Sequence, residues 1–194
     1  MARVWAERRH HVPGRSLTIE QVLGLLAETP TRLEALTAGL APAQLRAAPN
    51  DVEWSANDVL AHLRACADVW GSCIATIIAK ERPVLRAINP RTWITQTDYR
   101  ELEFRPSLQS FAAQRAELLA VLEPLPPEAW SRTATVTGAG KALERTVLSY
   151  ARWLAEHERL HVKQIARLVS TMPIEQRSPR ASSLTSGADP VQGG

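Results

Sequence analysis

Four long runs of apolar residues spaced three and four apart, each closed by proline or glycine, constrain this 194-residue chain more than any other feature. Such spacing lines up apolar side chains along one stripe of a helix. No alternating run long enough for a sheet stands out. The first run opens after Thr18 with Ile19, Val22, Leu23, Leu25 and Leu26 and continues through Leu33, Leu36 and Leu40. Pro30 is expected to kink or split it. After the breaker-rich stretch 39–49, Ser55 is a good N-cap, Asp58 completes the acidic half of a capping box, and Trp54 and Val59 occupy the positions of a hydrophobic staple. The stripe 59, 62, 63, 66, 70, 73, 74, 77 follows.

Pro83 and Asn89-Pro90-Arg91 close that helix and begin a long connection to about Arg105. A third helix runs from Pro106 or Ser107 to Leu122, with Leu108, Phe111, Leu118, Leu119 and Leu122 as its apolar side. Pro124, Pro126 and Pro127 end it, and Gly138-Ala139-Gly140 leads into a fourth helix from about Ala142 to Ser170. Four helices, each with one apolar side, predict an all-α four-helix bundle over residues 16–171. A flexible leader is expected at 1–15 and a disordered Ser/Pro/Gly-rich tail at 172–194.

Composition narrows the function classes. With 45% apolar residues the chain can build one core, and no window reaches the ~18 apolar residues of a membrane span. The N-terminus lacks an apolar signal region, so a cytoplasmic location is expected. A net charge of +3 argues against nucleic acid as a partner. Cys66 and Cys73 lie two helical turns apart, about 10.5 Å, beyond the ~7 Å reach of a disulfide, and read as reduced thiols.

The chemistry concentrates in the last helix. Its inward stripe is Leu143, Val147, Tyr150, Leu154, His157, His161, Gln164 and Leu168, so half of its positions are polar where a bundle wants leucine. A buried polar group without a partner costs roughly 1–3 kcal/mol. His157 and His161, one turn apart, point the same way and can share one metal ion. His62 takes the matching inward position on the second helix, so three imidazoles from two helices could hold a divalent metal with positions left open. The competing reading is satisfied core histidines. Cys66, one turn after His62, is either a fourth ligand or a small buried hydrophobe. Tyr150 and Gln164 are candidates for orienting a ligand or touching substrate.

The segments Glu53-Trp54-Ser55-Ala56-Asn57-Asp58-Val59-Leu60-Ala61-His62-Leu63 and His157-Glu158-Arg159-Leu160-His161-Val162-Lys163-Gln164-Ile165 resemble those of the DinB-like superfamily. The opening around Leu25 to Leu33, with its mid-helix proline, and the Gly138-Ala139-Gly140 stretch are similar too. The resemblance spans residues 17–170. It implies a DinB-like four-helix bundle with metal ligands at His62, His157 and His161, zinc or nickel as the metal, and homodimers. It also implies activities such as thiol transfer or isomerisation, with a low-molecular-weight thiol as co-substrate and a small molecule as substrate.

On that reading the metal lowers the pKa of a thiol, or alternatively of a water in a hydrolase. Glu158 is then a candidate general base, set against a solvated helix glutamate. His157-Glu158-Arg159-Leu160-His161 also fits the metalloprotease pattern, but no histidine follows to supply the usual third ligand. A non-catalytic metal-binding or stress-related bundle is the alternative to an enzyme.

Overall fold

A computed structural model describes residues 16–172; the expected leader and nearly all of the expected tail lie outside these residues. The chain forms helices α1 (Ile19–Thr37), α2 (Pro42–Arg46), α3 (Ala56–Ala79), α4 (Pro90–Trp93), α5 (Phe104–Leu122) and α6 (Val147–Thr171), with strands β1 (Val84–Arg86), β2 (Thr133–Thr137) and β3 (Leu143–Thr146). Pro30 leaves α1 in one piece. Ser55 caps α3 as expected: its hydroxyl accepts from the Asp58 amide at 3.1 Å, and the Ser55 amide in turn donates to the Asp58 carboxylate at 3.2 Å.

Extensive packing joins α1 to α6, α3 to α6, α1 to α5 and α3 to α5. Consecutive long helices α1 and α3 therefore sit across a diagonal, as do α5 and α6. The expected four-helix bundle is present, with the short α2 and the β2–β3 hairpin in the two connections that cross it. Among the described residues, no helix is long and apolar enough to cross a membrane.

Two corrections concern the sheet. β1 pairs with β2 in parallel and β2 with β3 antiparallel. These strands are not legible in the sequence because each has only three to five residues and little apolar alternation. Residues 143–146 accordingly belong to β3, so α6 starts later than the sequence suggests, and Leu143 is exposed on the sheet instead of heading the inward stripe. Gly138 and Gly140, with φ of 87° and 97°, form the hairpin turn, a conformation that favours residues without a Cβ.

The core falls into two large clusters and a small third one of Ala61, Ala65 and Ile94. Of the large ones, one gathers Val22, Leu26, Trp70, Ile74, Leu122, Val147 and Leu154; the other gathers Leu33, Leu60, Leu63, Phe104, Phe111 and Ile165. Between them in sequence on three of the long helices lie Thr29, Arg115 and Glu158, all buried. Arg115 and Glu158 form an ion pair across the α5–α6 diagonal, 1% and 0% exposed. The connection from α3 to α5 is fastened at Asp68, whose carboxylate accepts from Trp93 Nε1 (3.2 Å), the Tyr99 hydroxyl (2.8 Å) and Gln114 Nε2 (2.5 Å).

Candidate metal centre

His62 stands two turns into α3 and is buried, 4% exposed. His157 and His161 stand one turn apart on the facing side of α6, each half-buried. His157 Nε2 lies 3.0 Å from His62 Nε2 and 3.1 Å from His161 Nε2. Ring centroids are 4.5–5.2 Å apart with interplanar angles of 70–77°, so the three rings converge edge-on. The packing of α3 against α6 thus brings together all three histidines singled out from the sequence. Cys66 Sγ lies 3.5 Å from His62 Nε2, and the donor atoms of His62, Cys66 and His157 are all within 4.8 Å of one another.

Burial lowers the His62 imidazole to about 3, with His161, His157, Arg91 and Arg100 adding repulsion. His161 is lowered chiefly by burial, against the pull of Gln164 and with help from Arg91. Both shifts favour the neutral ring, and a neutral imidazole carries one N–H and one lone pair. Gln164 Oε1 lies 2.8 Å from His161 Nδ1. In that orientation the amide oxygen accepts the Nδ1 proton and leaves the Nε2 lone pair of His161 facing His157.

This arrangement tests whether a metal fits. His157 Nε2 meets two neighbouring nitrogens and can hold at most one proton, so with the His161 Nε2 lone pair facing it only one of the two close contacts can be a hydrogen bond at a time. A cation accepting all three lone pairs relieves that conflict. Nitrogens bound at about 2.0–2.1 Å in a tetrahedron would be about 3.3 Å apart, close to the separations seen. The donor set fits a divalent metal.

Aromatic rings wall the cluster. Trp54 meets His62 edge-on at 5.1 Å and lies parallel to His161 at 6.4 Å. Trp70 meets His157 edge-on at 5.1 Å and stacks on Trp153 at 4.5 Å. Beyond Trp54, residues 48–54, Asp58 and Arg100 line an open cleft of about 640 Å³.

The remaining candidates divide. Gln164 orients His161, one of the two roles its position in the stripe allows. Tyr150 lies in the core, 4% exposed, and is linked to His157 through Trp153 and Trp70. Glu158 is not a solvated helix glutamate: it is fully buried and bonded to Arg115, because the residue after His157 lies about 100° further round the helix and faces the bundle axis. Burial pushes its carboxyl up while Arg115 pulls it back down.

Sequence reasoning missed Arg115, although a signal existed: it interrupts the inward stripe of α5 between Phe111 and Leu122. Trp54, read as a staple, also walls the cluster.

Burial pushes the Cys66 thiol well up, with Glu158 adding to the shift. A protonated thiol is a poor ligand, because metal binding requires the thiolate. Cys66→Ser is expected to leave metal affinity within about threefold of wild type, read by competition with a chromophoric chelator. A loss of about 100-fold or more would make Cys66 a ligand and close the site with four protein donors.

A sequence model of the DinB superfamily matches residues 25–165. Among solved structures, YfiT from Bacillus subtilis, described as a probable metal-dependent hydrolase with an unusual four-helix bundle topology, aligns with a TM-score of 0.64 at 20% identity, covering 81% of this chain and 93% of that one. At that identity the likeness is one of fold. No curated protein sequence matches this chain significantly.

Proposed function

Starting from the fact that the chain belongs to the DinB superfamily, we propose that it is a metal-dependent enzyme whose His62, His157 and His161 hold one divalent cation, zinc or nickel, and that a low-molecular-weight thiol is the nucleophile it activates. The observation that carries this reading is the convergence of three imidazole rings, with His157 Nε2 at 3.0 and 3.1 Å from the Nε2 atoms of His62 and His161, and His161 oriented by Gln164. Bound there, the metal supplies pKa depression, which makes a thiol anionic at neutral pH.

The chain's own residues do the rest. His62 contributes a donor fixed by burial in α3, while His157 and His161 contribute donors from the half-buried side of α6, where a ligand can enter. Three protein donors would leave a coordination position open, as catalytic sites require. Trp54 and Trp70 exclude water from the flanks of the cluster, which strengthens electrostatic interactions within it. Glu158 is engaged with Arg115, so a nucleophile that needs no carboxylate base suits the site better than one that does. The electrophilic small molecule would be bound at the open side.

A second reading, water as the nucleophile, draws support from the description of YfiT as a probable metal-dependent hydrolase.

Metal analysis of tag-free protein purified without added metal tests the common premise. Close to one divalent ion per chain is expected; folded protein that gains none on titration overturns it. Loaded protein is then assayed with an aryl halide plus a small thiol, and with an activated ester alone. Thiol-dependent turnover supports transfer, and ester hydrolysis without thiol supports the second reading.

A further inference from the structure

We propose that the cleft beside Trp54 is the seat of the chain's own residues 173–180, which leave the end of α6 at its rim.

Two hollows meet at that end of the bundle and share Ala48 and Pro49. The smaller, about 310 Å³, has Ala47, Leu168 and Met172 among its mainly apolar walls. The larger is the cleft of about 640 Å³ bounded by residues 48–54, Asp58 and Arg100. Met172 follows directly on α6 with φ −69° and ψ 138°, and like Trp54 it packs against the second core cluster. Proline at 173 favours that extended backbone, because its ring disfavours a helical residue before it. The chain therefore turns out of the helix inside the smaller hollow.

The sequence that follows, Pro173-Ile174-Glu175-Gln176-Arg177-Ser178-Pro179-Arg180, suits the two hollows in the order in which the chain meets them. Ile174 comes first, where the walls are apolar. Arg177 and Arg180 come next, with Glu175 as the segment's one acidic residue. The cleft offers them Asp51 and Glu53, both exposed, while Asp58 is engaged by Arg100 at 3.8 Å. Glu53 is held in place: its carboxylate accepts from Asn50 Nδ2 at 2.7 Å, and Asn50 Oδ1 accepts from the Val52 and Glu53 amides at 3.0 and 2.9 Å. Val52 in the same turn is 89% exposed and gives the segment apolar surface to cover.

Five extended residues reach up to about 17 Å, enough to carry Arg177 from Met172 into the adjoining cleft. Tethering raises the local concentration of the segment to roughly the millimolar range, so a modest set of ionic and apolar contacts suffices to hold it. Trp54 is a wall of both the cleft and the histidine cluster, so the docked segment borders the proposed metal centre. The docking itself does not depend on the metal reading.

Trypsin cleavage after Arg177 in the full-length protein reads the docking, because cleavage tracks the fraction of molecules in which the segment is free. In wild type it is expected to run about tenfold or more slower than in a synthetic peptide of residues 171–184, at a rate constant independent of protein concentration. Asp51→Asn combined with Glu53→Gln changes two exposed side chains and leaves the core untouched. It is expected to bring cleavage to within about threefold of the peptide's rate. Wild-type cleavage as fast as the peptide's overturns the proposal. Protection that survives the double replacement overturns it too, by seating the segment elsewhere. So does protection that grows with protein concentration, by seating the segment on a second copy.

Discussion

Replacing His161 with alanine is expected to reduce bound metal from close to one per chain to near zero while the protein stays helical and folded. The ring is half-buried and its place is on a helix, where alanine is the best former, so the fold loses little. What disappears is one of three donors. Affinity is expected to fall by well over ~100-fold, since removing even an orienting partner of a ligand typically costs about 10–100-fold. Gln164→Ala provides that smaller comparison, because Gln164 acts on the centre through His161 Nδ1. Metal analysis and chelator competition read both variants. Stoichiometric metal retained in His161→Ala would remove His161 as a ligand and leave His62, Cys66 and His157 as the donor set.

Replacing Arg115 with methionine is expected to destabilise the protein by about 3–5 kcal/mol, as loss of one partner of a buried ion pair does. Methionine approximates the volume of the arginine stem, so the loss reports charge and hydrogen bonding more than a cavity. Glu158 would be left fully buried in the middle of the bundle, and its carboxyl, already pushed up by burial, would relax by holding its proton. That relaxation places the expected value at the low end of the range.

The paired replacement Arg115→Met with Glu158→Met is expected to recover most of the stability, because two apolar groups can fill the gap between the core clusters. Urea midpoints at unchanged m values measure all three variants. A single-variant loss below about 1 kcal/mol would show that the pair contributes little to tying α5 to α6 across the bundle.

These two outcomes differ in how visible their residues are in the sequence. The histidines are legible because α-helical spacing is local: residues four apart share a face, and polar groups on an apolar stripe stand out against the leucines around them. The Ser55–Asp58 cap is legible for the same reason, as three residues set its geometry. Arg115 interrupts an inward stripe just as visibly, but a charged residue on one helix does not announce its partner. Glu158 reads as a base or a solvated side chain when its only known neighbour is His157. The diagonal placement of α5 and α6 is what shows that its carboxylate belongs to Arg115.

The chain by itself determined four long helices, the Ser55–Asp58 cap and most of the apolar stripes they bury, because each depends on residues a few positions apart. It also marked His62, His157 and His161 as polar groups on inward stripes that could share one partner. The tertiary structure alone decided the order of helices around the bundle and the three-stranded sheet. It also decided the company kept at the site: Trp54 against His161, and Arg91 over Trp54. Those contacts join segments far apart in the chain, and their energies depend on how whole helices pack and not on any spacing along the sequence.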